Sequence, residues 1–67
     1  MVSGRNQLMG RVVEVRVEGL MAKVVVSLGE QRVTAIITAD SVADLGLKKG
    51  DVAVALIKST EVMIARP

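Results

Sequence analysis

From Val52 to Ile57 the chain carries six consecutive apolar residues, Val-Ala-Val-Ala-Leu-Ile. A run of this kind reads as a β-strand covered on both faces, because a half-exposed strand shows a polar residue at every second position. The whole chain has 67 residues and little of its own with which to cover both faces. The run is therefore read as packed between the interior of a small barrel and another subunit. Lys58, Ser59 and Thr60 interrupt the apolar pattern, and Val62-Met63-Ile64 resumes it as a further strand. The polar interruption lies near the subunit seam, a place suited to an anion.

Size points the same way. A single domain of this length hides only about 60% of the surface that its unfolded chain exposes, so its stability needs support. The sequence has no cysteine and no histidine, which removes disulfides and the usual zinc staple. Oligomerisation is the remaining common route. Hydrophobic residues make up 51% of the chain, more than one small core can hide, and excess apolar surface marks interfaces. No apolar run approaches the ~20 residues of a membrane span, and the N-terminus lacks the apolar core of a signal peptide, so a cytoplasmic location is expected.

Nine Lys and Arg against seven Asp and Glu give a formal charge of +2, and the charges are scattered. That is a weak attraction for polyanions. Barrels that bind nucleic acids stack bases on aromatic rings, and this chain has no Phe, Trp or Tyr, so a nucleic-acid partner is disfavoured.

Along the chain, residues 1–6 read as an irregular arm. A half-buried strand is expected over residues 7–18, with Val13, Val15 and Val17 alternating against Glu14, Arg16 and Glu18. After Gly19 a second strand covers residues 21–28, with Ala22, Val24, Val26 and Leu28 on one face. Gly29-Glu30 suits a two-residue hairpin turn, and residues 31–37 return with Val33, Ala35 and Ile37 inward. The period then changes. Thr38 to Gly46 reads as a short helix with Thr38 as N-cap and Gly46 as the left-handed residue after its end, Val42 and Leu45 plugging the barrel. Residues 48–51 form a turn into the last two strands. The expected fold is all-β: one domain over 1–67, a small five-stranded barrel of the oligonucleotide/oligosaccharide-binding (OB) type, with one short helix between strands 3 and 4.

Catalysis is not expected. There is no His or Cys to act as base or nucleophile, no phosphate-binding glycine loop and no tight carboxylate cluster. Three polar clusters remain: Ser3 with Arg5 in the arm, Thr38 with Ser41 at the helix start, and Lys58-Ser59-Thr60. Each has a plain reading, as a solvated terminus, a helix cap and a hairpin turn. Together they supply a guanidinium, an ammonium, several hydroxyls and helix N–H groups, all donors, with no carboxylate among them. That inventory matches a small tetrahedral dianion.

Ser3-Gly4-Arg5-Asn6-Gln7-Leu8 with Gly10, then Ile37-Thr38-Ala39-Asp40-Ser41 followed by Leu45-Gly46-Leu47 and Gly50, then Ile57-Lys58-Ser59-Thr60-Glu61-Val62-Met63-Ile64 resemble the molbindins, the small molybdate-binding Mop proteins. The resemblance covers essentially the whole chain. It implies an OB-like barrel that binds molybdate, and often tungstate, as the oxyanion, with no other cofactor and no side chain bonded directly to the metal. It also implies a homo-oligomer, a hexamer built as a trimer of dimers, with ligands at subunit interfaces. Carried over by motif, the ligand contacts are Ser3, Arg5, Thr38, Ser41, Lys58 and Ser59. Gly4 departs from the alanine common in the family and loosens the path from Ser3 to Arg5.

The expected role is storage or buffering of molybdenum. The alternatives are an OB-type nucleic-acid-binding module, a purely structural oligomerisation module, and a sensor of molybdate. A chain with no DNA-binding or nucleotide-binding segment favours storage.

Overall fold

The computed structural model describes residues 5–67, so Ser3 and Gly4 lie outside the described residues. Four strands form one antiparallel sheet: β1 (Arg5–Glu18), β2 (Met21–Ser27), β3 (Arg32–Thr38) and β4 (Val52–Lys58), in the order β3-β2-β1-β4. The 14-residue β1 is shared between two neighbours. Its first half pairs with β4, from Arg5 opposite Lys58 to Arg11 opposite Val52. Its second half pairs with β2, from Arg11 opposite Ser27 to Glu18 opposite Met21.

A β-bulge makes this division possible. Val12 lies opposite Val26 and Glu14 opposite Val25, so Val13 is an extra residue. A bulge bends its strand and shifts the alternation by one. Ahead of it Leu8, Gly10 and Val12 form the more buried row. Beyond it Val15 and Val17 lie opposite Val24 and Ala22. Val13 therefore does not share the inner row with Val15 and Val17, as unbroken alternation suggests. Val12 is the most buried side chain of the chain's core, at 1% exposure.

The expected alternation in β2 and β3 holds. The inner row Ala22, Val24 and Val26 is buried, and Val33, Ala35 and Ile37 are the half-buried members of β3; in β2 Val25, between two inner residues, is buried as well, which simple alternation does not predict. Gly19 enters the first hairpin at φ 59° and Gly29 the second at φ 98°. The Leu28 N–H donates to the Gln31 carbonyl at 2.7 Å, closing the Gly29-Glu30 turn. The core consists of Val12, Ala22, Val24, Val26 and Val42, all small aliphatic side chains.

Helix α1 spans Ala39–Leu45. Thr38 caps it, its Oγ1 accepting from the Ser41 N–H at 3.0 Å. Gly46, at φ 62°, ends it: the Gly46 N–H donates to the Ala43 carbonyl and the Leu47 N–H to the Val42 carbonyl, both at 3.1 Å. That reversal turns Leu47 back against the core. Val42 is buried as expected, whereas Leu45 is 68% exposed and does not plug the barrel.

The fifth strand does not form within one chain. After β4, Ser59–Glu61 makes a single 3₁₀ turn, and Val62 to Pro67 continue without regular structure, exposed throughout. The sheet is curled but open between β3 and β4. The outer row of β4 is uncovered as well: Val52, Val54 and Leu56 are about half exposed, while Ala53, Ala55 and Ile57 turn inward. No helix among the described residues is long and apolar enough to cross a membrane.

Two stability predictions follow from these contacts. A Cβ at Gly10 would collide with the backbone oxygen of Ser27 and come within 2.8 Å of Val26 Cγ1 and 2.9 Å of Leu28 Cδ2. Gly10→Ala is expected to cost about 2 kcal/mol or more, since backbone cannot yield as a side chain tip does, read as a lowered urea midpoint. Thr38→Ala, which deletes the helix cap, is expected to cost about 1 kcal/mol in the same titration.

Candidate functional site

Arg5 and Lys58 are brought together by strand register. They face each other directly across the β1–β4 pair at the end of the sheet, and both are exposed. The Asn6 side-chain amide donates to the Ile57 carbonyl at 3.3 Å, bracing the same strand end. Asn6 is not among the expected contacts, although it belongs to the motif that contains Arg5.

Like charges directly opposite on neighbouring strands repel, so this arrangement asks for a counter-ion. Among the described residues none supplies it. The ion pairs join Arg16 to Glu14 (3.8 Å), Arg16 to Glu18 (4.0 Å) and Lys23 to Glu14 (3.7 Å), all on the β1–β2 hairpin. The guanidinium is a planar fork of donors and the ammonium a compact triple donor. Side by side they suit an oxyanion.

The peptide turns sharply after Lys58. Lys58 stands at the entry of the 3₁₀ turn with φ −59° and ψ 138° and makes no side-chain cap bond. Ser59 and Thr60 follow within that turn, so all three expected polar residues sit at the same sheet end as Arg5.

Thr38 and Ser41 form a second cluster. Thr38 Oγ1 lies 2.8 Å from Ser41 Oγ and accepts from the Ser41 N–H. The capping reading of these residues is thus realised. With Thr38 as donor in the hydroxyl pair, the Ser41 hydroxyl proton remains free to point outward.

Within one chain the two clusters are kept apart. Thr38 lies opposite Met21, which lies opposite Glu18, whereas Lys58 lies opposite Arg5. Glu18 and Arg5 are the two ends of β1, and at about 3.3 Å per strand residue no side chain bridges that span. Ser3 lies outside the described residues. One protomer therefore presents two separate polar clusters, one cationic and one of hydroxyls. No group of three or more His, Cys, Asp or Glu side chains that could hold a metal ion occurs among the described residues.

Comparison with known proteins identifies the family of the chain. The TOBE domain family model matches residues 2–64. The chain is 50% identical over 64 residues to molybdenum-pterin-binding protein 3 of Clostridium pasteurianum, and 47% identical to protein 1 of the same organism; each match covers 94% of both chains. Among solved structures, MopII from Clostridium pasteurianum superposes with a TM-score of 0.90 at 43% identity, covering 98% of this chain and all of that one. A molybdate-binding protein from Sporomusa ovata gives 0.92 at 42% identity, covering 98% of each chain. The cytoplasmic molybdate-binding protein ModG, solved with molybdate bound, gives 0.92 at 35% identity, and this chain covers 48% of its length. With the family model spanning nearly every residue and relatives of matching length at half identity, the chain belongs to the TOBE-domain family, among its small Mop proteins.

Proposed function

We propose that this protein binds molybdate reversibly, with tungstate as the close substitute, and performs no covalent chemistry. The carrying observation is the Arg5–Lys58 pair, two exposed cations held face to face without an ion-pair partner among the described residues. A dianion relieves their repulsion and accepts from both. The names of the relatives and the molybdate-bound state of ModG support the choice of oxyanion.

The complete site is assembled from two copies. Arg5, Lys58 and Ser59 of one protomer, with Ser3 from its arm, meet Thr38 and Ser41 of another. The opposed ends of β1 support this division, because neither cluster alone surrounds a tetrahedral ion. The cations neutralise the charge through charge-assisted hydrogen bonds, and the hydroxyls and turn N–H groups fit the remaining oxygens. The donors address oxygen and leave the metal uncoordinated by protein.

The assembly is a homo-oligomer, with a hexamer as its expected form, and the half-exposed row Val52, Val54 and Leu56 supplies apolar surface for it. Within such an assembly the OB-like barrel reaches its full strand number. The role is storage or buffering of molybdenum in the cytoplasm, in keeping with the description of ModG as cytoplasmic. Ligand bound only by the assembled form stabilises it by mass action, by about 2.7 kcal/mol at a hundredfold excess over Kd.

Calorimetric titration tests the reading. Molybdate and tungstate are expected to give saturable heats, with sulfate and phosphate weaker. Arg5→Met and Lys58→Met each remove charge-assisted bonds worth about 1.5–3 kcal/mol, so each is expected to lower affinity at least about tenfold while leaving the far-ultraviolet circular dichroism unchanged. Wild-type affinity in both variants would sink the assignment.

A further inference from the structure

Among the described residues, Arg5 to Gly10 of β1 pair with β4 alone, since the pairing with β2 begins only at Arg11. This end of the sheet is therefore a two-stranded ribbon, an arrangement that is marginal in water without further support. It is also the end that carries Arg5 opposite Lys58. The least supported part of the sheet holds the two charges that push its strands apart.

The ladder brings those charges close. The Val12 N–H donates to the Asp51 carbonyl and the Val12 carbonyl accepts from the Gly50 N–H, both at 2.8 Å, so Val12 turns both backbone groups toward the β4 side. In an antiparallel pair such residues alternate. Gly10, Leu8 and Asn6 therefore share that direction, and Arg5 and Lys58 form a non-hydrogen-bonded pair, the kind whose Cα atoms stand about 4.5 Å apart with their side chains closer. One residue inward, Asn6 lies opposite Ile57. Its side-chain N–H donates to the Ile57 carbonyl at 3.3 Å, the oxygen of the peptide unit that also contains the Lys58 nitrogen. By alternation Asn6 belongs to the row of Leu8, Gly10 and Val12, on the sheet face opposite Arg5 and Lys58.

We infer that Asn6 is a positioning residue, a clamp that holds Arg5 and Lys58 in register before ligand arrives, so that the oxyanion meets cations already in place. The bond ties the residue after Arg5 to the residue before Lys58, and the strand end cannot open without breaking it. From the opposite face of the sheet Asn6 acts on the site only through the two strands and makes no contact with the ion. Holding repelling cations together in advance lowers the cost of organising them at the moment of binding. This inference rests on the oxyanion reading proposed above and adds a residue that sets its strength.

The test is a double-mutant cycle on the full chain, read by calorimetric titration with sodium molybdate. Asn6→Ala is expected to weaken binding about fivefold, the factor that one net hydrogen bond carries. In the Lys58→Met background, where the clamped pair no longer repels, the same change is expected to weaken binding less than about twofold. Equal losses in the two backgrounds, or no loss in the first, overturn the clamp. Amide hydrogen exchange without ligand gives an independent reading. The Asn6 and Leu8 amides are expected to exchange about fivefold faster in Asn6→Ala than in wild type at low ionic strength, and the difference is expected to shrink in about 1 M sodium chloride, where charges are screened beyond about 3 Å. Exchange unchanged by the substitution, or a difference insensitive to salt, overturns the inference. A wild-type protein that takes up no molybdate overturns the proposed function instead, and the exchange experiment still decides the clamp.

Discussion

The structure depends on how β1 divides its backbone between two partners. One strand cannot pair with β4 and β2 over its whole length and also close a curled sheet, so the chain inserts Val13 as an extra residue and bends there. The candidate site residues take their positions from that division. The β4 half carries Arg5 opposite Lys58, and the β2 half leads through Met21 to Thr38 and the helix cap. A strand of 14 residues thus acts as a spacer that holds the cationic cluster and the hydroxyl cluster apart.

On the proposed reading, that separation turns a weakness of small size into a recognition device. A chain with a core of valines and alanines has modest burial to set against its conformational entropy. It leaves apolar residues outside on β4 and on its last segment. In the proposed assembly, association would cover those residues and bring the two polar clusters of different protomers into reach. On that proposal ligand and assembly would share one free energy, since the ion would bridge groups that a lone protomer holds at opposite ends of β1.

Much of this was legible in the sequence, for reasons that differ from residue to residue. The helix was readable at both ends because its signals are local: Thr38 caps through its own hydroxyl, and Gly46 adopts the left-handed turn that a side chain disfavours. Alternation located β2 and β3 for the same reason. The bulge was not readable, because Val12 and Val13 are chemically identical and only pairing with β2 decides which one faces inward. The fifth strand was expected from the apolar pattern of Val62 to Ile64, but pattern does not report pairing, and these residues lie exposed beyond β4. Leu45 misled likewise, since helical spacing puts it near Val42 while the reversal at Gly46 hands its place to Leu47. For the proposed site, residue chemistry offered Ser3, Arg5, Thr38, Ser41, Lys58 and Ser59 as candidates, and register added which of the described ones are neighbours: Arg5 faces Lys58, and Thr38 lies at the other end of the sheet.

The central claim is that a tetrahedral dianion sits where two protomers join their half-sites. The most direct measurement is diffraction from crystals grown with molybdate, using the anomalous signal of molybdenum to locate the ion. The account expects each peak at a protomer junction, bounded by Arg5 and Lys58 of one copy and by Thr38 and Ser41 of the other. Peaks enclosed by a single protomer, or lying away from the Arg5–Lys58 pair, would contradict it.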